Sequence, residues 1–315
     1  MNLSTVDAFK NISTANNPIE LNGERLGSLQ RVLTRMLGDL NEVCERHGIA
    51  YTLGGGTCLG AVRHHGFIPW DDDVDINMTR EGYSRFVKAY ESELKDRYWL
   101  HDCSRTSGYE LAFPRLRLRG TIVRSREDYQ FAECGAYIDI FIIDNAPSNA
   151  LLRNAHGFVS MVLGFAYSCR RFAAHAADYL SLVEGDAAAT SAFKKKIVIG
   201  KLLSFRSVEA WTRTWDRWNS HCHDESSSHV TVPVGRKHYF GELRPRSDYF
   251  PVSHGSFGDL TVPLPKNTDS YMRSLYGEGY MTPPSEGDRE KHVVYEFDLG
   301  DYSADCDPCS GREEG

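Results

Sequence analysis

Four carboxylates, Asp71, Asp72, Asp73 and Asp75, fall within five positions of this chain, directly after the apolar run Phe67-Ile68-Pro69-Trp70. Like charges this close repel and raise one another's pKa, so the segment must stay in water or meet a cation. From Asp73 onward the order alternates: Val74, Ile76 and Met78 interleave with Asp73, Asp75 and Asn77. That period predicts a strand with one apolar and one acidic face. Residues two apart on a strand share a side, so Asp73 and Asp75 project together, joined by Asp71 if the strand begins early. Carboxylate oxygens grouped on one face suit a hard divalent cation, Mg²⁺ or Mn²⁺.

The flanking sequence supplies the layers such a strand needs. Leu26, Leu29, Leu33, Met36, Leu37, Leu40 and Val43 recur at helical spacing and predict a helix over 21–47, stopped at Gly48. A short strand over 49–53 runs into Gly54-Gly55-Gly56, and Thr57 opens a further helix. Three glycines between strand and helix let backbone approach a ligand, with N–H groups at a helix N-terminus that suit phosphate. A helix is expected over 79–94 and strands over 98–102, 115–123 and 137–143. The last, Tyr-Ile-Asp-Ile-Phe-Ile-Ile-Asp, carries Asp139 among apolar residues. Asp139 completes the acidic site from the side if its strand neighbours the first. The expectation is a mixed α/β (α+β) core over 21–147 with flanking helices. A mobile segment (1–20) precedes it. A mainly helical region (148–228), a Gly-, Pro- and Tyr-rich portion (229–300) and a disordered tail (301–315) follow.

With 315 residues, 41% of them hydrophobic, the chain can bury a substantial core, and a net charge of −7 argues against a general nucleic-acid binder. The first twenty residues lack the basic start and apolar run of a signal peptide, and the apolar stretch 157–168 is too short to span a bilayer. Eight scattered cysteines fit reduced thiols better than a disulfide framework. These features predict a soluble, cytoplasmic protein.

The stretch GGGTCLGAVRHHGFIPWDDDVDI closely resembles the signature of the LicD family, related to fukutin-related proteins, within the nucleotidyltransferase superfamily. YIDIFIIDN resembles the family's second acidic strand, and FGDLTVPLPKNTDSYMRSLYGEGYMTPP with the later REKH resembles its C-terminal pattern. The resemblance runs from about Tyr51 to His292 and leaves 148–228 unmatched. It implies a nucleotidyltransferase-like fold and metal-dependent transfer of a substituted phosphate, phosphocholine foremost, from a CDP-linked donor such as CDP-choline. The implied acceptor is a hydroxyl of a cell-surface glycan, teichoic acid or glycolipid precursor. It further implies that Asp73 and Asp75, with Asp71 and Asp139, hold Mg²⁺ or Mn²⁺, and that Gly55, Gly56 and Thr57 occupy the donor-phosphate position. Arg63 and His64 stand in its Arg-His step, near the diphosphate. Asp139 is the candidate base for the attacking hydroxyl. The alternatives are a metal-dependent glycosyltransferase, since Asp-x-Asp also serves nucleotide-sugars, and a non-catalytic nucleotide-binding protein.

Weaker signals carry two readings each. Arg115, Arg117 and Arg119 alternate with leucines and read as a solvated strand face or as a lining for an anion. Between Ser191 and Trp218, seven Lys or Arg stand against two acidic residues, and Trp211, Trp215 and Trp218 share a helical face. Such a stripe is ordinarily core; the other reading is peripheral contact with an anionic membrane at its inner face. His221, Cys222, His223 and His229 match no common zinc spacing, and Cys306 and Cys309 read as bystanders.

Overall fold

The computed structural model describes residues 19–125, 128, 131–181, 183, 186–289 and 294–303. Residues 1–18, the tail from 304 with Cys306 and Cys309, and Glu290, Lys291 and His292 lie outside them.

The architecture follows from where apolar side chains recur. Helix α1 (Gly23–Arg46) buries Leu29, Leu33, Met36, Leu37 and Leu40 on one stripe. Strand β1 (Tyr51–Leu53) leads into helix α2 (Gly55–His64). Strand β2 (Val74–Thr79) buries Val74, Ile76 and Met78 completely, as its alternation requires. Thr79 then caps helix α3 (Arg80–Glu93), its hydroxyl accepting from Gly82 N–H. Strands β3 (Tyr98–His101), β4 (Arg115–Leu118), β5 (Ile122–Ser125) and β6 (Tyr137–Ala146) follow. The single strand expected over 115–123 is therefore two, with Gly120 at φ +75° in the break between them.

Strands pair in the order β1-β2-β6-β4-β3, and only β2 and β6 run parallel. The expected helical region is α4 (Ala150–Ala174), α5 (Ala176–Ser181), α6 (Ala187–Leu202) and α7 (Val208–Asn219). The C-terminal portion returns to the sheet. Strand β7 (His229–Thr231) pairs with the far end of β6, and β8 (Arg244–Pro245) pairs with β7. The short helix α8 (His238–Gly241) lies between them. A hairpin of β9 (Ser253–Phe257) and β10 (Leu260–Leu264), helix α9 (Thr268–Tyr276) and strand β11 (Val294–Asp298), paired with β5, complete the fold.

One contact ties the late segments to the early ones. Tyr271 of α9, 3% exposed, accepts at its hydroxyl from Gly55 N–H (3.2 Å) and from Asn77 Nδ2 (3.1 Å). It thereby joins the glycine loop, the acidic strand and the C-terminal portion. Tyr271→Phe removes the acceptor shared by the half-buried Gly55 N–H and the buried Asn77 Nδ2, which keeps only a 3.4 Å bond to Leu53 O, and should lower the unfolding free energy by about 1–3 kcal/mol. Urea denaturation of variant and wild type checks this, with the slope expected unchanged.

Candidate active site

In the parallel β2–β6 pair, Asp75 stands directly beside Asp139. The expected adjacency of the two acidic strands is thus present. A cleft of about 160 Å³ opens on this side of the sheet. Its walls include Gly55, Gly56, Asp71, Asp73 and Asp75, and from the C-terminal portion Arg236, Glu242, Tyr271 and Tyr276. Asp71, Asp73 and Asp75 therefore do share one face. Asp72, which alternation would send elsewhere, also offers an oxygen within 4.8 Å of those of Asp71 and Asp73, because these three precede the regular strand. Among the described residues this is the one grouping of three metal-binding side chains. The suggested His221, Cys222, His223 and His229 set does not assemble into another.

The glycines make the acidic face reachable. A methyl group on Gly54 would sit 2.9 Å from Asn77 Nδ2, on Gly55 2.6 Å from Asp75 Oδ2, and on Gly56 3.1 Å from Asp71 Oδ2. Gly55 also has φ +43°, a conformation costly for other residues. The first turn of α2 therefore lies against the carboxylates, closer than any side chain permits. Thr57 stands in the first turn of α2, after the glycines. It is buried, and its hydroxyl accepts from Asp75 N–H at 2.8 Å, so its side chain ties α2 to the strand. Gly54 N–H donates to Asp75 O at 2.9 Å and closes the same joint.

Behind the cleft lies a buried ionic network. Both oxygens of Asp139 accept from Arg115, Oδ1 from Nε and Oδ2 from Nη2, the latter at 3.0 Å. Asp128 accepts from Arg115 Nη1 at 3.2 Å and from Arg117 Nη2 at 2.6 Å. Burial pushes the Asp128 carboxyl up, but the two guanidinium groups outweigh it and hold it at about 2. Arg115 also lies over the Tyr137 ring, 3.9 Å from its centroid. Neither reading of the arginine row survives for Arg115 and Arg117, because β4 is covered on both faces and their charges are spent internally. Arg119, past the end of β4, stacks on Trp99 and donates to Tyr98 O at 3.0 Å.

Residues 48–148 match the nucleotidyltransferase domain of the LicD/FKTN/FKRP family. This stretch is a LicD-family domain. The chain is 37% identical over 123 residues to lipopolysaccharide cholinephosphotransferase LicD of Haemophilus influenzae, a match covering 38% of this chain and 44% of that relative. It is 51% identical over 39 residues to human ribitol 5-phosphate transferase FKRP, covering 12% of this chain and 8% of that protein. The chain thus spans less than half the length of the curated relatives it matches.

Within the LicD-family domain, Arg63 donates to His64 Nε2 and to Tyr280 O, both at 2.9 Å. Burial lowers the His64 pKa, and the Arg63 charge lowers it further. Neither residue is part of the cleft wall, whereas Arg236 is. Sequence reasoning named none of Arg236, Glu242, Tyr271 and Tyr276; all lie outside residues 48–148, although Tyr271 and Tyr276 fall within the C-terminal stretch that resembles the family. Glu242 is enclosed, accepts from Arg244 Nη2 at 3.2 Å, and has its pKa raised, burial outweighing Arg244.

The Asp128 pairing sets a pH dependence. A carboxyl depressed from 3.8 to about 2 stabilises the fold above its unfolded pKa, and that stabilisation is lost as pH falls through the folded value. Asp128→Asn should cost about 3–5 kcal/mol at pH 7, because two buried guanidinium groups lose a partner. The gap to wild type should narrow between about pH 4 and pH 2. Denaturant melts across that range measure it.

Proposed function

We propose that this protein transfers a substituted phosphate, phosphocholine foremost, from a CDP-linked donor to a hydroxyl of a glycan or glycolipid, releasing CMP. The observation that carries this reading is the single cleft in which Asp71, Asp73 and Asp75 meet the glycine-opened N-terminus of α2, inside a LicD-family domain. The printed activities of the two relatives, cholinephosphate and ribitol 5-phosphate transfer, support the reaction class.

The residues fit a divalent cation: an all-oxygen donor set, half-buried, with space kept beside it by the glycines. Asp73 and Asp75 would hold Mg²⁺ or Mn²⁺, with Asp71 beside them and Asp139 adjoining from β6. Bound there, the ion neutralises the diphosphate and stabilises departing CMP. The chain does the rest. The first-turn N–H groups of Gly56 and Thr57 have no acceptor one turn back, as at any helix start, and would suit the donor phosphates. Arg236 adds positive charge from the opposite wall. The acceptor oxygen attacks the phosphorus bearing the alcohol, the bond to CMP breaks, and the hydroxyl proton passes to a carboxylate. Glu242 lines the cleft and has its pKa raised, which favours it as that acceptor, while Asp139 stays paired with Arg115 as fixed charge beside Asp75. The free thiols among the described cysteines support a reducing, cytoplasmic setting.

Purified protein should release CMP from CDP-choline with Mg²⁺ or Mn²⁺ and lose the activity in EDTA. Asp75→Asn should abolish it in a folded protein. Glu242→Gln should lower kcat by about 10²- to 10⁴-fold with donor affinity nearly intact. Release of UDP or GDP from sugar donors, with CDP-choline inert, would replace this reading with a glycosyltransferase.

A further inference from the structure

Helix α4 holds its core contacts on one side and an open apolar stripe on the other. Its inner side is fixed to α7: Ser160 donates to Asn219 Oδ1 at 2.6 Å, and Trp215 Nε1 donates to Ser160 at 3.1 Å. Trp211, Trp215 and Trp218, considered above for membrane contact, are part of this packing, with indole N–H groups bonded to Leu203 O, Ser160 Oγ and His156 O. The core reading of that stripe therefore holds.

The outer side differs. Leu151, Phe158, Val162 and Phe165 recur on one helical face and are 80%, 67%, 50% and 38% exposed. The same stripe continues through Cys169 and Phe172, where α6 covers it. The outward face of α6 then adds Val198, Leu202 and, just beyond the helix, Phe205, at 60%, 75% and 73% exposed. Single exposed apolar residues need no explanation, but a contiguous set on two packed helices does.

Charge identifies the occupant. The whole chain carries −7, yet residues 147–177 and 187–207 contain no Asp or Glu at all. They do contain Arg153, Arg170, Lys194, Lys195, Lys201 and Arg206. Over 147–207 as a whole, eight Lys or Arg stand against three Asp or Glu, and an apolar face on so basic a segment of an otherwise acidic protein matches an anionic lipid surface. Among the described residues no helix is long and apolar enough to cross a membrane, and α4 is held to α7. We infer that the outer faces of α4 and α6 dock this protein on an anionic membrane surface. The inference does not depend on the proposed chemistry.

The test uses the full chain and vesicles of phosphatidylglycerol mixed with phosphatidylcholine, against phosphatidylcholine alone. Lys196 is a poor probe, being 5% exposed and bonded to Ser168 Oγ at 3.1 Å. Two surface variants serve instead: Lys194→Glu with Lys201→Glu, and Phe158→Ser with Val162→Ser, each checked for folding by circular dichroism. Wild type should sediment with the anionic vesicles at low salt and be released by high salt. Each variant should lower the partition coefficient by about tenfold or more. Absence of binding to anionic vesicles by folded wild type, or binding unchanged in both variants, overturns the inference. So does a dimer that the Phe158 and Val162 changes dissociate while vesicle binding stays absent, since a second copy would then be the occupant.

Discussion

The site rests on one close approach, the backbone of Gly54, Gly55 and Gly56 lying against the acidic face of β2. Any side chain there would meet Asn77, Asp75 or Asp71 within about 3 Å. The approach is held from both directions. Gly54 N–H and Thr57 Oγ1 bond the backbone of Asp75, and the Tyr271 hydroxyl accepts from Gly55 and Asn77. The start of α2 is thus set beside the carboxylates by contacts from the same core that buries Val74, Ile76 and Met78. Position comes before chemistry here, because phosphoryl transfer depends mainly on placing charge.

The two acidic strands treat charge differently. On the β6 side, Asp139 and the nearby Asp128 are enclosed and meet Arg115 and Arg117, an arrangement costly to bury but rigid once paired. On the β2 side, Asp71, Asp72 and Asp73 remain half-buried at a cleft edge, close enough to share an ion. The buried network serves as a fixed wall that orients Asp139 beside Asp75. The cleft carboxylates are where a diphosphate with its cation would come.

Local patterns made much of this legible. Strict alternation over 73–78 exposed β2, and the apolar stripe of 26–43 exposed α1, since both periods follow from backbone geometry. The adjacency of the strands that carry Asp75 and Asp139 was legible because each strand shows its own apolar pattern around a carboxylate. The bond from Asp75 N–H to the Thr57 hydroxyl was not legible, because a hydroxyl beside a glycine loop carries no mark of its partner. Arg115 and Arg117 misled for a similar reason: alternation gives a face but not what covers it, and here Asp128, Asp139, Tyr137 and Phe131 do. Arg236, Glu242 and Tyr276 reach the cleft through β7, β8 and α9, and such long-range pairing leaves no periodic trace.

The central claim is that the β2 carboxylates take a divalent cation together with the donor diphosphate. Electron paramagnetic resonance titration of Mn²⁺ into the protein at pH 7, with and without CDP-choline, addresses it without requiring turnover. The account predicts one bound Mn²⁺ per chain, tighter in the presence of CDP-choline, and binding lost in a folded Asp73→Asn variant. Mn²⁺ binding equal in wild type and Asp73→Asn, and indifferent to the nucleotide, would contradict it.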